Sequence, residues 1–428
     1  MRQDHHRKRF DHVCPTFEKI ITFATISEIK FNKKYMKNKG FNTKAIHAGH
    51  SGFKPDSMST PLYQSVAYPY EDAKEAAEIF RGEKPGYTYG RWDNPTVEVF
   101  EKRMAALENT EGAIAASSGM AAIFLLCHHF LNPGDEIVSS NRVYGGTFGL
   151  FETGLKKMGS KVNWITNPDN LEDWEKAITP KTKFLFVESP SNPSLFVADI
   201  PALAKLAKSK NLPLVVDNTI ATPALQLPTE LGADIIVHST TKYICGNASS
   251  LGGIICGPKA IAEGIRQNGI RYLGPSMTPF NAWLNLLGLE TLSLRMEKHC
   301  SNALAVASFF EKHPRIESVN YPGLSSNPYN KLKEVNKIKG FSSLMSIVLK
   351  GTYDDATKFI DSLNVFTHAT HLGTCKSIVT HPASTTHSAM GEVEMKKAGI
   401  SPAMVRFSVG IEDVDDLIQD LSIALEKK

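Results

Sequence analysis

The sequence predicts an α/β protein, with a mostly parallel sheet in a large domain and a smaller C-terminal α/β domain behind it. Three observations predict it. Beyond residue 95, short continuous apolar runs alternate with helical patterns, the signature of a parallel sheet covered by helices. Several runs lack apolar/polar alternation, as strands buried on both faces do. A long helical region then opens near Thr278 and leads to a further strand-like and helix-like pair.

The elements follow in chain order. Residues 1–40 form a basic extension, read as disordered, in which Met36 resembles a natural start. Its longest apolar stretch, Ile20 to Ile26, is interrupted by Thr22 and Thr25 and is no secretory core. His5, His6 and His12 read as a solvated tail rather than a metal site, and no metal is expected. Residues 41–95 are irregular and rich in Gly, Pro and Tyr, with one helical patch near Glu71–Phe80. A stretch of that length wraps another surface or reaches across a subunit boundary. Asn94-Pro95-Thr96 starts a helix, with Val97, Phe100, Met104 and Leu107 at helical spacing. Ala113 to Leu131 carries no charged residue but contains Ser117, Ser118 and two His, and reads as a buried helix rather than a membrane span. The expected strands are Glu136–Ser139, Val162–Ile165, Phe184–Val187, Leu214–Asp217, Ile235–His238 and Gly253–Cys256, with a helix at Pro201–Lys210. Phe341–Leu349 reads as a strand and Asp354–Leu363 as a helix. The expected division is 1–40 extension, 41–95 arm, 96–290 cofactor-binding domain and 291–428 C-terminal domain.

Charge excludes some function classes. The 428 residues carry a formal net charge of +4, but residues 1–40 hold ten Lys/Arg against four Asp/Glu. The body is therefore near neutral, which argues against nucleic acid as a partner. The six cysteines (14, 127, 245, 256, 300, 375) form no C-x-x-C pair, so reduced thiols and a cytoplasmic setting are expected.

In open α/β sheets, ligands gather at the carboxyl ends of the strands. After Phe184–Val187 comes Glu188-Ser189-Pro190-Ser191-Asn192-Pro193. After Leu214–Val216 comes Asp217-Asn218-Thr219. After Ile235–Val237 comes His238-Ser239-Thr240-Thr241-Lys242. An acid and a lysine on separate strand ends are what a pyridoxal phosphate site needs: the amine bonds the aldehyde and the carboxylate holds the ring nitrogen protonated. Ser239 and Thr241 are candidate phosphate ligands. Lys242 is equally readable as a surface lysine and Asp217 as a helix N-cap. Ala115 to Ala122, with Gly119 and Met120, offers small residues opening a helix, a weak phosphate cradle. Neither a P-loop nor a dinucleotide glycine motif is present.

From about Phe41 onward the chain resembles the Cys/Met-metabolism family of pyridoxal-phosphate enzymes: cystathionine γ-synthase, cystathionine and methionine γ-lyases, and O-acylhomoserine sulfhydrylases. The stretches that carry the resemblance are TPLYQSVAYPY, GYTYGRWDNPT, SSGMAA, VYGGT, VESPSNP, VVDNT, HSTTKY, HPASTTH and VRFSVGIED. It implies a fold-type I transferase with pyridoxal 5'-phosphate on Lys242 and Asp217 at the pyridine nitrogen. It implies Tyr144 stacked on the ring, Gly119, Met120, Ser239 and Thr241 at the phosphate, and Asn192 at the cofactor hydroxyl. Tyr89 and Arg91 would reach the phosphate from a neighbouring subunit, within a homotetramer built as a dimer of active dimers. Arg406 would clamp the substrate carboxylate, for which an arginine fork is suited. Having Lys242, Asp217, Tyr144 and Arg406 together argues against a catalytically silent relative.

Three local choices resemble the sulfhydrylases, which join sulfide to O-acetyl- or O-succinylhomoserine to give homocysteine. Lys376 stands where lyases and cystathionine γ-synthases usually carry an acid. Gly146 stands where methionine γ-lyases usually carry Cys. The run SMTPFNAWLNLLGLETLSLRM has the sulfhydrylase form. His371 departs from the Ser or Asn expected beside the substrate carboxylate. A methionine or cystathionine γ-lyase, or a cystathionine γ-synthase, is the alternative.

Overall fold

A computed structural model describes residues 36, 38–50, 53, 57–385 and 401–427. Residues 1–35 and 37 of the expected extension 1–40, and the end of HPASTTH, Thr386 and His387, lie outside the described residues.

The large sheet has seven strands: β1 (Gly112–Ala116), β2 (Glu136–Ser140), β3 (Lys161–Ile165), β4 (Thr182–Glu188), β5 (Leu214–Asp217), β6 (Ile235–Ser239) and β7 (Gly253–Gly257). Their order is β1-β7-β6-β5-β4-β2-β3. The pairings from β6 through β5, β4 and β2 to β3 are parallel, whereas β7 runs antiparallel to both β6 and β1. The apolar runs behave as expected. In β4, Leu185 and Val187 enter one core layer, while Phe184 and Phe186 enter the layer on the opposite face. The same division continues next door: Leu214 and Val216 of β5 share the first layer, and Val215 the second.

One expectation is corrected. Ala113 to Leu131 is not a single helix. Its small residues form β1, and Ser118 then caps a helix, Gly119–Phe130, by accepting from the Ala121 N–H at 3.1 Å. Apolar residues without charge carry no decisive period, so strand and helix look alike there. The small size has a use. A Cβ on Gly253 would lie 2.1 Å from the Ser118 carbonyl oxygen, so β7 passes hard against that turn.

The irregular segment before residue 95 holds a short helix at Phe41–His47 that the sequence does not announce, and the expected one at Ala73–Phe80. Asn94 caps the helix Pro95–Leu107, accepting from the Thr96 N–H at 2.9 Å. The region beginning at Thr278 is two helices, Pro279–Glu290 and Leu292–Lys312. The second buries Leu292 and Met296 in the large-sheet core, and Val306 and Phe310 in a second core. At 1.5 Å per residue it spans about 30 Å, enough to join the two.

The second sheet contains β8 (Ile316–Asn320), β9 (Leu344–Leu349), β10 (Thr367–His368), β11 (Ile378–Thr380) and β12 (Met404–Ser408), in the order β10-β11-β12-β9-β8. All its pairs are antiparallel except β10 with β11. Phe407 anchors it, with ring centroids 5.2 Å from Phe310 and 5.4 Å from Phe366. Helices Tyr353–Asp361 and Val414–Glu426 cover it. No helix among the described residues is long and apolar enough to cross a membrane.

Candidate active site

The carboxyl ends of β4, β5 and β6 meet the second sheet, and the candidate residues collect along that seam. Lys242 lies in the turn after β6. The turn is fixed from behind by Arg295 of the helix Leu292–Lys312, which donates to the carbonyls of Tyr243 at 2.6 Å and Ile244 at 3.3 Å. In front, the loop 371–375 presses on it: a Cβ at Gly373 would lie 2.8 Å from the Tyr243 nitrogen. Gly373 has φ +78°, a conformation open to glycine, and its N–H donates to Ser408 Oγ at 2.9 Å. The Cys375 N–H donates to the Gly246 carbonyl at 2.8 Å.

This clamp sets His371 beside the lysine. Lys242 Nζ is 3.1 Å from His371 Nδ1. His371 Nε2 is buried with no hydrogen-bond partner among the described residues. Arg406, central in β12, reaches the same place. It donates to Asn192 Oδ1 at 3.1 Å, to the His371 carbonyl at 3.2 Å and to Thr380 Oγ1 at 3.4 Å. Burial, and then the Arg406 charge, bring the Lys242 ammonium down to about 8. Burial, with Lys242 and Arg406 nearby, brings His371 down to about 4, so its imidazole is neutral at pH 7. Burial brings Arg406 itself to about 10.

Asp217 closes β5 and is buried. Its Oδ1 accepts from the Thr219 N–H at 3.0 Å and from Thr219 Oγ1 at 2.5 Å. That turn displaces the helix-cap reading: the carboxylate heads no helix. Thr219 Oγ1 also accepts from the Ser239 N–H at 2.8 Å, tying the ends of β5 and β6 together. Burial raises Asp217 above the usual carboxylate range, and the Thr219 bonds oppose this. Glu188 at the end of β4 is its register partner. Burial and Asp217 push Glu188 well above its ordinary value.

The helix Gly119–Phe130 points its N-terminus at the end of β6. A Cβ on Gly119 would lie 2.6 Å from Ser239 Cβ, so only a bare backbone fits between them. Thr241 Oγ1 accepts from the Gly252 N–H at 3.0 Å. Tyr144, 49% exposed, lies on the loop after β2, with its backbone N–H on Glu188 Oε2 at 2.6 Å.

Not every candidate joins this cluster. Tyr89 and Arg91 sit in the segment before the sheet, where Tyr89 bridges Ala67 and Arg91 bonds the Arg271 carbonyl. No described hydrogen bond or ring contact links them to Lys242 or Asp217. Lys376 is exposed, so its charge faces solvent rather than this seam. Among the described residues no group of His, Cys, Asp and Glu is placed to hold a metal, and a cavity of about 700 Å³ near Phe41, Cys300 and Lys339 contains none of the candidates. Sequence reasoning assigns no role to Glu188, Thr219 or Arg295. Only Glu188 and Thr219 carry a signal, their position directly after buried strands.

The family described as Cys/Met metabolism PLP-dependent enzyme matches residues 42–426. The chain is 42% identical over 387 residues to O-succinylhomoserine sulfhydrylase of Pseudomonas aeruginosa, covering 90% of this chain and 95% of that one. It is 39% identical over 400 residues to L-methionine gamma-lyase of Treponema denticola, covering 92% and 99%. A crystal structure from Campylobacter jejuni, designated putative O-acetylhomoserine (thiol)-lyase and bearing a pyridoxyl-lysine monophosphate, superposes with a TM-score of 0.87 at 37% identity, over 91% of this chain and all of that one. The residues here fit such a group: a half-buried amine, a buried carboxylate on the neighbouring strand, and a helix N-terminus whose first residue leaves no room for a side chain.

Proposed function

The chain belongs to the Cys/Met-metabolism family of pyridoxal-phosphate-dependent enzymes, and on that premise we propose that it is an O-acylhomoserine sulfhydrylase, joining sulfide to O-acetyl- or O-succinylhomoserine to form homocysteine. When bound, pyridoxal phosphate supplies an electron sink that makes the substrate Cα and Cβ protons removable. Everything else is asked of the chain. Lys242 holds the cofactor, then carries protons at Cα and Cβ; near 8 it is a far better base at neutral pH than a free lysine. Asp217 would keep the ring nitrogen protonated, Tyr144 would lie against the ring, and Gly119, Met120, Ser239 and Thr241 would take the phosphate. Arg406, with Asn192 and His371 holding its guanidinium, takes the substrate carboxylate. The Cγ–O bond breaks, the acyl group leaves as a carboxylate, and the sulfur of hydrosulfide bonds to Cγ. Tyr89 and Arg91 complete the phosphate site of a second copy.

One observation carries replacement over elimination. A Cβ at Gly146 would lie 2.5 Å from Tyr144 Cε1 and 3.2 Å from Met120 Sδ. The Tyr144 ring therefore occupies space that the cysteine usual in methionine γ-lyases would need. The exposed Lys376 no longer supports the choice. Incubating the enzyme with each acylhomoserine, with and without sulfide, tests the reading. Homocysteine should be the main product, with slow 2-oxobutyrate release when sulfide is absent. Faster cleavage of methionine or cystathionine than conversion of acylhomoserine would replace it with the γ-lyase reading.

A further inference from the structure

Glu188 is 3% exposed and lies beside a second buried carboxylate, Asp217. Two buried acids on adjacent strands raise each other's cost, and an apolar residue would fill the strand end without that penalty. What an acid adds is visible in its bonds. Oε2 accepts from the Tyr144 N–H at 2.6 Å and Oε1 from the Asn192 N–H at 2.7 Å. These N–H groups belong to two different loops, after β2 and after β4. Asn192 in turn holds Arg406, accepting from Nη1 at 3.1 Å.

We propose that Glu188 is a positioning residue whose two carboxylate oxygens set the Tyr144 loop at the cofactor ring and the Asn192–Arg406 pair at the substrate carboxylate. It touches neither cofactor nor substrate; it acts through the residues that do. The proposal rests on the reading that Tyr144 faces the ring and Arg406 the substrate. Both bonds require an acceptor on each oxygen. A glutamine offers one acceptor and turns an N–H donor toward the other N–H, so one of the two links must break. An aspartate keeps both oxygens but, shorter by a methylene, cannot span both N–H groups.

The test uses Glu188→Gln and Glu188→Asp. The first readout is binding of pyridoxamine phosphate, which cannot bond covalently to Lys242, to the apoenzyme. The second is kcat and KM for the acylhomoserine. Each folded variant should bind the probe at least tenfold more weakly and raise KM at least tenfold, with thermal unfolding near that of the parent. The KM effect should also shrink at least fivefold when Glu188→Gln is combined with Arg406→Lys, because the two act on one clamp. Unchanged probe affinity and KM in either folded variant, or strictly additive effects with Arg406→Lys, overturns the proposal. If the Gln variant does not fold, the Asp variant alone decides. Probe affinity does not depend on which reaction follows, so this failure is distinguishable from failure of the sulfhydrylase reading.

Discussion

Replacing Arg406 with methionine should raise the pH at which apoenzyme captures pyridoxal phosphate. Capture needs the uncharged Lys242 amine. Burial is the first reason that this amine titrates near 8, and the Arg406 charge is the second. At pH 7 a group of that strength is about one-tenth uncharged, against roughly 0.04% for an ordinary lysine near 10.4. The site thus presents a few hundred times more reactive amine than an exposed lysine would. Without the guanidinium, burial remains and the repulsion goes, so the midpoint should rise above 8 without reaching 10.5. Arg406→Lys keeps the charge and should leave it near 8. The assay is the rate of visible-absorbance change after mixing apoenzyme with cofactor, followed across pH. A wild-type midpoint at the ordinary lysine value, or identical midpoints for the Met and Lys variants, would refute the reasoning. The stability linkage has a definite sign. Between 8 and 10.5 the unfolded chain holds a proton on Lys242 that the folded chain lacks, so stability rises with pH across that window, and the penalty is complete below it.

Three further outcomes are expected. Folding lowers His371 from 6.5 to about 4, so acidification across that interval costs stability; His371→Asn should therefore lose less melting temperature between about pH 7 and pH 4.5 than wild type does, and an equal loss removes the imidazole from this role. Gly146→Ala puts a methyl 2.5 Å from the Tyr144 ring; because that ring is half-exposed and able to turn, kcat should fall several-fold while stability shifts by less than about 1 kcal/mol, with wild-type kcat as the contrary result. Mixed Arg91→Ala and Lys242→Ala chains, each inactive alone, should regain partial activity after subunit exchange, and demonstrated exchange without recovery counts against a site shared between copies.

The large sheet is readable in the sequence because its strands are short, apolar and buried on both faces, and because polar residues mark where each one ends. Glu188, Asp217 and Lys242 all follow from that rule. The rule gives no role to Glu188, since nothing local reveals that its oxygens meet N–H groups of two loops. β1 merges into a helix in the sequence pattern, because four small residues around Ile114 carry no period and their partner, β7, lies far along the chain. Arg406 has no local marker either. It stands in mid-strand on the second sheet, and only the resemblance points to it. Lys376 shows the opposite failure: a residue type that tracks one branch of the family reads as chemistry, yet its side chain faces solvent.

The division between the two sheets bears on what can distinguish one reaction of this family from another. Lys242, Asp217 and the helix Gly119–Phe130 all belong to the large-sheet side, and the proposed roles of Lys242 and Asp217 serve replacement and elimination alike. His371 and Arg406 come from the second sheet and its loops. They meet the large-sheet side across the seam, His371 at Lys242 Nζ and Arg406 at Asn192 Oδ1. That seam is pinned on each side of His371, by the Arg406 bond to its carbonyl and by the bonds of Gly373 and Cys375. The backbone at His371 is therefore held, and its imidazole meets Lys242 Nζ through Nδ1. Tyr144 differs: it is half-exposed and is held through its backbone by Glu188. In the proposed reaction, a nucleophile that must bond Cγ before Cγ takes a proton meets His371, half-buried beside Lys242, and the half-exposed Tyr144 ring. Substitutions that free the Tyr144 ring or shift its loop should alter the ratio of replacement to elimination, whereas substitutions at His371 should act first on the lysine and the carboxylate clamp.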